Sequence, residues 1–287
     1  MRVQSSKGNR YVYEVHSTVR KSLGRETPAL LKKKAAHDAK RADLQKRGKQ
    51  LEKKLTAAAP VNRALNIGGM RSIAARIIRA LDREQLLGTH VIVAGTNALH
   101  AYEASAGVQI ASQHVATTDA DILWDTKQSL LLAATGLRRD GLMGILRKVD
   151  QSFVAHYGFN ATNRDGYIVD LLCPESDDGL TMNAGSDLEA VPMTGSEWLL
   201  KCPQHEQIIV AEDGMPLRIV VPEPRTYALH KLWVSQQPDR TPMKRPRDAA
   251  HARIVAELAA KYLGLKFKAV DMLWLPKQLQ AEIKNLK

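Results

Sequence analysis

Two aspartates separated by one residue are the part of the sequence best suited to chemistry. Asp119 and Asp121 open the segment DADILW (residues 119–124), whose apolar residues predict a strand. Residues two apart on a strand point to the same face and lie roughly 6 to 7 Å apart along the backbone. Two carboxylates on one face repel each other unless a cation lies between them, and such oxygen ligands suit Mg²⁺.

A third carboxylate, Asp170, stands inside another predicted strand, YIVDLL (residues 167–172). An unpaired Asp is costly to bury, and a metal ion is a plausible partner for it. One D-x-D pair is expected by chance in a chain of this length and composition, so the pair alone does not establish a site. The apolar neighbours of all three aspartates favour a functional interpretation over a chance pair.

The segment before the aspartates has the pattern of a phosphate-binding turn. Residues 91–94, VIVA, predict a short buried strand, and Gly95-Thr96 ends it. We expect Thr96 or Asn97 to cap a helix that runs through residues 98–102. A strand that feeds a helix through a glycine turn directs backbone N–H groups and the positive helix end at one point, which suits phosphate.

Together, Gly95-Thr96, Asp119-x-Asp121 and the later Asp170 resemble the pattern of the polymerase-beta-like nucleotidyltransferase superfamily. The resemblance covers roughly residues 70 to 265 and is nearest to bacterial proteins of this fold close to the AbiEii-like toxin group. Thr96 stands where serine is commoner, and it keeps both the hydroxyl and the N–H. The 24 residues from Gly95 to Asp119 exceed the usual gap, so the connection around residues 105–117 is expected to differ from the family pattern.

This resemblance implies a metal-dependent transfer of NMP from an NTP, ATP among the candidates, to an acceptor hydroxyl. Asp119, Asp121 and Asp170 would be catalytic and would hold Mg²⁺ or Mn²⁺. The nucleotide would be bound by Gly95, Thr96 and, by their positions relative to the family pattern, Lys231 and Asp248. Without the D-x-D pair, the sequence would predict Lys231 to be a surface lysine that extends from an apolar helix face. Asp248 would be an aspartate at the start of a helix.

The predicted fold class is α/β (α+β): a nucleotidyltransferase-like core with a small mixed sheet and helices. A helical N-terminal arm and a helical C-terminal part flank it, with boundaries at 1–60, 61–221 and 222–287. The core is expected to hold one helix from Asn62 to Leu87 that stops at Gly88, and another from Thr126, capped by Asp125. Further expectations are a strand at 11–15, helices at 142–149, 227–233 and 244–263, and hairpins at 157–172 and 207–221.

The net charge of +12 is concentrated at the N-terminus. Residues 1–60 hold 16 Lys and Arg against 5 Asp and Glu, a balance of +11, which leaves +1 for the remainder. Thr27-Pro28 predicts the start of a helix that reaches about Ala58 with only a thin apolar stripe. Such an arm suits RNA or tRNA, because clustered cations displace counterions from phosphates. A solvated, highly charged helix is the alternative interpretation.

Other classes of protein are excluded or disfavoured by what the sequence contains. Cys173 and Cys202 form no disulfide framework and have no metal-ligand spacing. No apolar run approaches the ~20 residues of a membrane span, so a cytoplasmic protein is expected. The rival function is a nucleotide-fold binding or regulatory module that docks a partner protein without catalysis, whereas the resemblance to toxin-like relatives of toxin–antitoxin systems favours RNA.

Overall fold

The computed structural model describes residues 1–6, 8–16, 19–125, 141–156, 160–175 and 188–286. By its internal contacts the chain divides into two compact units, Met1–Pro60 and Val61–Lys287. The predicted helix from Thr126 and its Asp125 cap, and residues 157–159 of the first predicted hairpin, involve positions outside the described residues. Within those described, no helix has both the length and the apolar composition needed to cross a membrane.

The N-terminal unit is an antiparallel sheet followed by a long helix. Strands β1 (Arg2–Ser6), β2 (Asn9–His16) and β3 (Val19–Arg25) pair in the order β1-β2-β3. The predicted strand at 11–15 lies inside β2. Helix α1 (Pro28–Ala64) begins where Thr27 predicts, since the Thr27 hydroxyl accepts a hydrogen bond from the Leu30 N–H at 3.2 Å. Ala59 is its one buried residue.

The second unit is built on a mixed sheet, as predicted. Its strands are β4 (Val91–Val93), β5 (Asp119–Trp124), β6 (Val154–His156), β7 (Asn160–Thr162), β8 (Ile168–Cys173) and β9 (Val191–Pro192). They pair in the order β4-β5-β8-β7-β6, with β9 beside β8. Strands β5 and β8 are parallel, whereas β4 runs antiparallel to β5. A separate hairpin is formed by β10 (Gln204–Val210) and β11 (Pro216–Pro222), close to the second predicted hairpin.

Helices cover this sheet and extend the chain beyond it. They are α2 (Ser72–Arg83), α3 (Leu99–Ala106), α4 (Ser112–Val115), α5 (Gly141–Val149), α6 (Ser196–Lys201), α7 (Pro224–Gln236), α8 (Arg245–Lys261) and α9 (Lys277–Ala281). Short 3₁₀ turns occupy Thr96–Ala98, Pro242–Lys244, Ala269–Asp271 and Glu282–Leu286. The apolar face of β5 and β8, with Ile122 and Leu171, joins Ile77 of α2 and Leu146 of α5 in one core. The opposite face therefore remains available for polar side chains.

The single helix predicted from Asn62 to Leu87 is wrong. The chain leaves α1 at Ala64 and starts α2 only at Ser72, and α2 ends at Arg83, well before Gly88. Gly68 has a φ of 96°, and a Cβ there would lie 2.1 Å from the carbonyl oxygen of Val210. The loop must therefore pack its backbone against β10, which a continuous helix cannot do. Ile67, which lies in this loop, is 43% exposed.

Candidate active site

The three carboxylates meet on one face of the sheet. Asp121 and Asp170 are directly paired residues of the parallel strands β5 and β8, and Asp119 lies two residues before Asp121. Their neighbours Ala120 and Val169 point the other way and are fully buried. All three aspartates line the same pocket. The period of two along each strand and the pairing register thus bring together the acids that the sequence analysis selected.

Burial and the neighbouring charge of Asp119 raise the pKa of two of these carboxyl groups, Asp121 and Asp170. Burial, followed by the charge of Asp119, raises the pKa of Asp121 to about 6. Burial and Asp119 also raise the pKa of Asp170, while Lys244 acts in the opposite direction on both groups. The charged forms of Asp121 and Asp170 are therefore disfavoured as long as no cation lies beside them.

Gly95 allows the turn after β4 to pass directly over the carboxylate of Asp121. Its φ is 59°, and a Cβ at this position would lie 1.6 Å from Oδ2 of Asp121. The Ala94 N–H donates to the Asp121 carbonyl at 2.9 Å, and the Tyr227 hydroxyl donates to the Gly95 carbonyl at 2.9 Å. Only glycine fits this left-handed position at such a close approach.

Asp119 is held by side chains from both flanking turns. The Asn97 amide and the Tyr167 hydroxyl donate to its carbonyl oxygen at 2.8 and 2.9 Å, and the Thr117 hydroxyl donates to its carboxylate. The expectation that Thr96 or Asn97 caps the following helix is wrong, because α3 has Ala98 as N-cap without a side-chain hydrogen bond. The amide of Asn97 instead joins the turn to β5.

Lys231 and Asp248 line the pocket as an ion pair between two helices. The Nζ of Lys231 on α7 lies 2.9 Å from Oδ1 of Asp248 on α8, and Arg240 approaches Oδ2 of Asp248 at 2.6 Å. Asp248 is 3% exposed. Burial alone would raise its pKa, but the charges and hydrogen bonds of Lys231 and Arg240 outweigh burial and lower it. Asp248 thus holds the two cations in place at the pocket wall.

Three further cations of the pocket wall were missed by the sequence analysis: Arg240, Lys244 and Arg247. The Arg247 guanidinium donates to the Thr96 hydroxyl at 3.1 Å and to the carbonyl of Ala116 at 2.7 Å. Lys244 and Arg247 belong to the run KRPRD (residues 244–248), so their closeness to Asp248 in the chain could have indicated them. Nothing in the local sequence distinguishes Arg240 from other surface arginines.

Comparison with known proteins settles the family. The family model described as "Nucleotidyltransferase" matches residues 72–274, which is well over half of the chain and includes every site residue described above. The chain belongs to this nucleotidyltransferase family. Searches of curated proteins and of solved structures found no match. As a nucleotidyltransferase the protein is a transferase that moves an NMP group, and a triphosphate substrate fits this activity.

The donor set of this nucleotidyltransferase suits a hard divalent cation that brings other ligands with it. Among the described residues, no group of three or more His, Cys, Asp or Glu already has metal-binding geometry. Mg²⁺ is usually bound by one or two carboxylates, with waters and substrate phosphates completing the octahedron. Asp119, Asp121 and Asp170 supply oxygen ligands on one face of the sheet, so their chemistry fits a cation that binds together with a nucleotide.

The long connection before Asp119 is anchored to α8 of the nucleotidyltransferase. His251 lies with Nε2 at 2.9 Å from the carbonyl of His114, and Arg247 contacts the carbonyl of Ala116. Burial, with a smaller contribution from Lys231, lowers the pKa of His251 to about 4. This imidazole is therefore neutral at pH 7 and joins the connection to the helix by a hydrogen bond rather than by charge.

Proposed function

We propose that the protein transfers an NMP group from an NTP to a hydroxyl group of an RNA acceptor in a reaction that depends on Mg²⁺ or Mn²⁺. The observation that carries this proposal is the pairing of Asp121 with Asp170 on adjacent parallel strands, beside Asp119 and the Gly95 turn. Burial and the charge of Asp119 raise the pKa of Asp121 and of Asp170, so the charged forms of these two groups are unfavourable in the folded protein unless a cation binds beside them.

The role proposed for each residue follows from the position of its side chain. Asp119, Asp121 and Asp170 would hold the cation, which when bound supplies positive charge to the phosphates and to the acceptor oxygen. The Gly95 turn and the Thr96 hydroxyl would contact the terminal phosphates. Lys231, held by Asp248 at 2.9 Å, would face the charge that develops on the leaving group.

The reaction breaks a phosphoanhydride bond of the NTP and forms a phosphoester bond to the acceptor. The acceptor oxygen forms a bond to the α-phosphorus as the bond from that phosphorus to the oxygen bridging to the β-phosphate breaks. Pyrophosphate leaves with the electron pair, and Asp170 accepts the hydroxyl proton before releasing it to water. Arg240, Lys244 and Arg247 add positive charge to the wall on which the pyrophosphate forms.

RNA is proposed as the acceptor because of the N-terminal unit. Its residues 1–60 carry a balance of +11, and the side chains of α1 are exposed with the exception of a few half-buried positions and Ala59. An exposed cationic helix binds the phosphate backbone without reading sequence. We place the reaction in the cytoplasm of a bacterial cell, where NTPs and tRNA occur together, and place the protein near the AbiEii-like group.

The experiment that tests the function is a pyrophosphate-release assay. Each of the four NTPs is incubated with the protein and Mg²⁺ or Mn²⁺, with and without bulk tRNA. We expect release that requires both the metal and one NTP and that increases with tRNA. The Asp121→Asn variant should lose it, whereas the exposed Asp165→Asn variant should keep it.

The rival function is a module that binds a nucleotide or a partner protein without catalysis. It predicts no pyrophosphate under any of these conditions, together with tight binding of the NTP. Equal activity of Asp121→Asn and the unaltered protein would also contradict the proposal, because the carboxylate would then be dispensable.

A further inference from the structure

A second cavity lies beside the catalytic pocket within the unit Val61–Lys287. It consists of two adjoining spaces of about 270 and 440 Å³, which share Gly68, Gly69, Glu103 and Gln109 in their walls. None of the residues that line these spaces lines the catalytic pocket. We refer to both spaces together as the second cavity.

One helix contributes side chains to the walls of both the catalytic pocket and the second cavity. Thr96 lines the pocket, and His100 and Glu103, four and seven residues later, line the second cavity. These spacings place all three side chains on the same side of the helix formed by the 3₁₀ turn and α3. With a rise of 1.5 Å per residue, His100 lies about 6 Å and Glu103 about 10 Å beyond Thr96 along the axis. A molecule the size of a nucleoside can span that distance.

The walls of the second cavity are fixed by backbone contacts. On one side, the Glu212 N–H donates to the Met70 carbonyl at 2.9 Å, and Gly68 lies directly against the Val210 carbonyl. On the other side, the Ile110 N–H donates to Oε1 of Glu103 at 3.3 Å. The cavity is therefore part of the folded framework.

The lining of the second cavity excludes phosphate and suits a nucleobase. Although the chain has a net charge of +12, no Lys or Arg is among the described residues that line either space. The polar side chains of the lining are those of Asn66, His100, Glu103, Gln109 and Ser112. They lie between apolar walls such as Ile67 and Ile110. Unstacked bases of single-stranded RNA bind in this way, with apolar or aromatic contacts on their faces and hydrogen bonds at their edges.

Glu103 has acceptor capacity left for a ligand. Its Oε1 accepts from Ile110, and its Oε2 lies 3.4 Å from Nδ1 of His100. An ionised carboxylate has about four lone-pair positions, so both oxygens can accept a further hydrogen bond. A carboxylate pairs with an exocyclic amino group of a base, as with N4 of cytosine, and cannot pair with the O4 of uracil.

We propose that the second cavity holds the terminal nucleobase of the acceptor, with Glu103 accepting a hydrogen bond from its exocyclic amino group. This rests on the proposed function, because it assigns the acceptor of that reaction to the nucleoside class. The nucleoside would lie along the face of α3, with its hydroxyl groups directed toward Thr96 and the carboxylates. Phosphates that precede it in an RNA would lie outside the cavity.

The test uses cytidine and uridine, which differ at this edge of the base, as probes for the full-length protein without NTP. Binding is measured by calorimetry or by chemical-shift changes. We expect cytidine to bind about tenfold more tightly than uridine, because its amino group donates one hydrogen bond to the charged carboxylate that the O4 of uridine cannot donate. Glu103→Gln should remove that difference, and because its amide oxygen can still accept from Ile110, its melting temperature should stay close to that of the unaltered protein.

Asp165→Asn, an exposed position that lines neither the second cavity nor the catalytic pocket, serves as the control and should bind cytidine like the unaltered protein. Asp121→Asn reports on binding in the catalytic pocket. Equal affinity for the two nucleosides, no binding of either, or loss of cytidine binding in Asp121→Asn but not in Glu103→Gln would overturn the proposal. Because these measurements need no turnover, failure of the second cavity is distinguishable from failure of the proposed function, which appears as absent pyrophosphate release.

Discussion

At the scale of single residues, the site depends on how closely main chain and carboxylate approach each other. Gly95 brings its backbone so near Asp121 that the protein has no room for a methyl group between them. Chemistry at a phosphate requires donors and metal ligands within a few ångströms of each other, and a glycine at the turn is what permits this.

Gly95→Ala should abolish transfer. Its Cβ would lie 1.6 Å from Oδ2 of Asp121, so the turn or the carboxylate must move. Gly264→Ala is the matched control, since Gly264 has a similar φ of 65° but open space around it. Both variants place a non-glycine residue at positive φ, and the strain is larger at Gly95, whose ψ of −151° belongs to a backbone region essentially confined to glycine. Pyrophosphate release should be lost in the first variant only, and retained activity in Gly95→Ala would show that the close approach is unimportant.

Asp121→Asn should stabilise the metal-free protein at neutral pH. The folded pKa of Asp121 is raised to about 6 from 3.8, so the unfolded chain loses this proton first as the pH rises. Stability therefore falls between pH 4 and pH 6, and above that range ionised Asp121 costs on the order of 3 kcal/mol. Asparagine has nearly the same shape as aspartate, so the substitution removes the cost of the charge and keeps the packing of the side chain.

Thermal unfolding in EDTA measures this effect. The melting temperature of Asp121→Asn should exceed that of the unaltered protein by several degrees at pH 7.5, and the two should converge near pH 4. Added Mg²⁺ with an NTP should raise the melting temperature of the unaltered protein more than that of the variant. A difference that is independent of pH would mean that the ionised carboxylate is not destabilising.

At the scale of elements, the cations of the site depend on how α7 and α8 are joined. Lys231 comes from α7, Asp248 from α8, and Arg240 from the connection between them. The guanidinium of Arg245 contacts the carbonyls of Gln237, Pro238 and Arg240 and so holds that connection against the start of α8. These contacts fix the positive wall of the pocket before any nucleotide binds.

Asp248→Asn should destabilise the protein strongly, by about 3 to 5 kcal/mol, because it leaves Lys231 without its buried counter-charge. Glu257→Gln is the matched control on the same helix. It breaks an exposed ion pair in which the side chain of Lys261 is 66% exposed and that of Glu257 is 59% exposed. The substitution should cost less than about 1 kcal/mol. Urea unfolding of both variants gives the comparison. Similar losses in the two would contradict a structural role for the buried cluster.

The sequence predicts elements well where one local pattern decides them. Strand periodicity placed Asp119, Asp121 and Asp170 correctly on strands. The alternation of side chains between the two faces of a strand depends only on the local sequence. Prediction from local patterns failed for the helix predicted at Asn62–Leu87, because the break at Gly68 is imposed by the Val210 carbonyl of a strand far along the chain.

At the scale of the whole molecule, the same limit explains which parts of the site were missed. Asn97 and Tyr167 converge on the carbonyl of Asp119 from positions 22 and 48 residues away, and Arg247 reaches Thr96 from 151 residues away. Such contacts follow from how the sheet and α8 pack, and no local spacing encodes them. The three aspartates can therefore be predicted from the sequence, whereas the groups that position them can be identified only from the folded structure.

The charge distribution of the chain leads to the last prediction, which concerns RNA. Replacing the exposed Lys53 and Lys54 of α1 with glutamine should weaken tRNA binding and flatten its salt dependence, since each phosphate contact contributes about −0.7 to −0.9 to the slope of log K against log salt. Lys266→Gln with Lys268→Gln, exposed positions of the second unit, removes the same charge and should change the slope little.

Binding is measured by fluorescence anisotropy of labelled tRNA between about 50 and 200 mM salt, the range over which counterion release dominates. If the two double variants lose affinity equally, net charge alone attracts RNA and α1 has no special role. If the α1 variant alone loses affinity and its slope becomes less steep, the basic helix contacts the phosphates. Pyrophosphate release without tRNA should then be unchanged in that variant, because the aspartates proposed to be catalytic lie in the other unit of the chain.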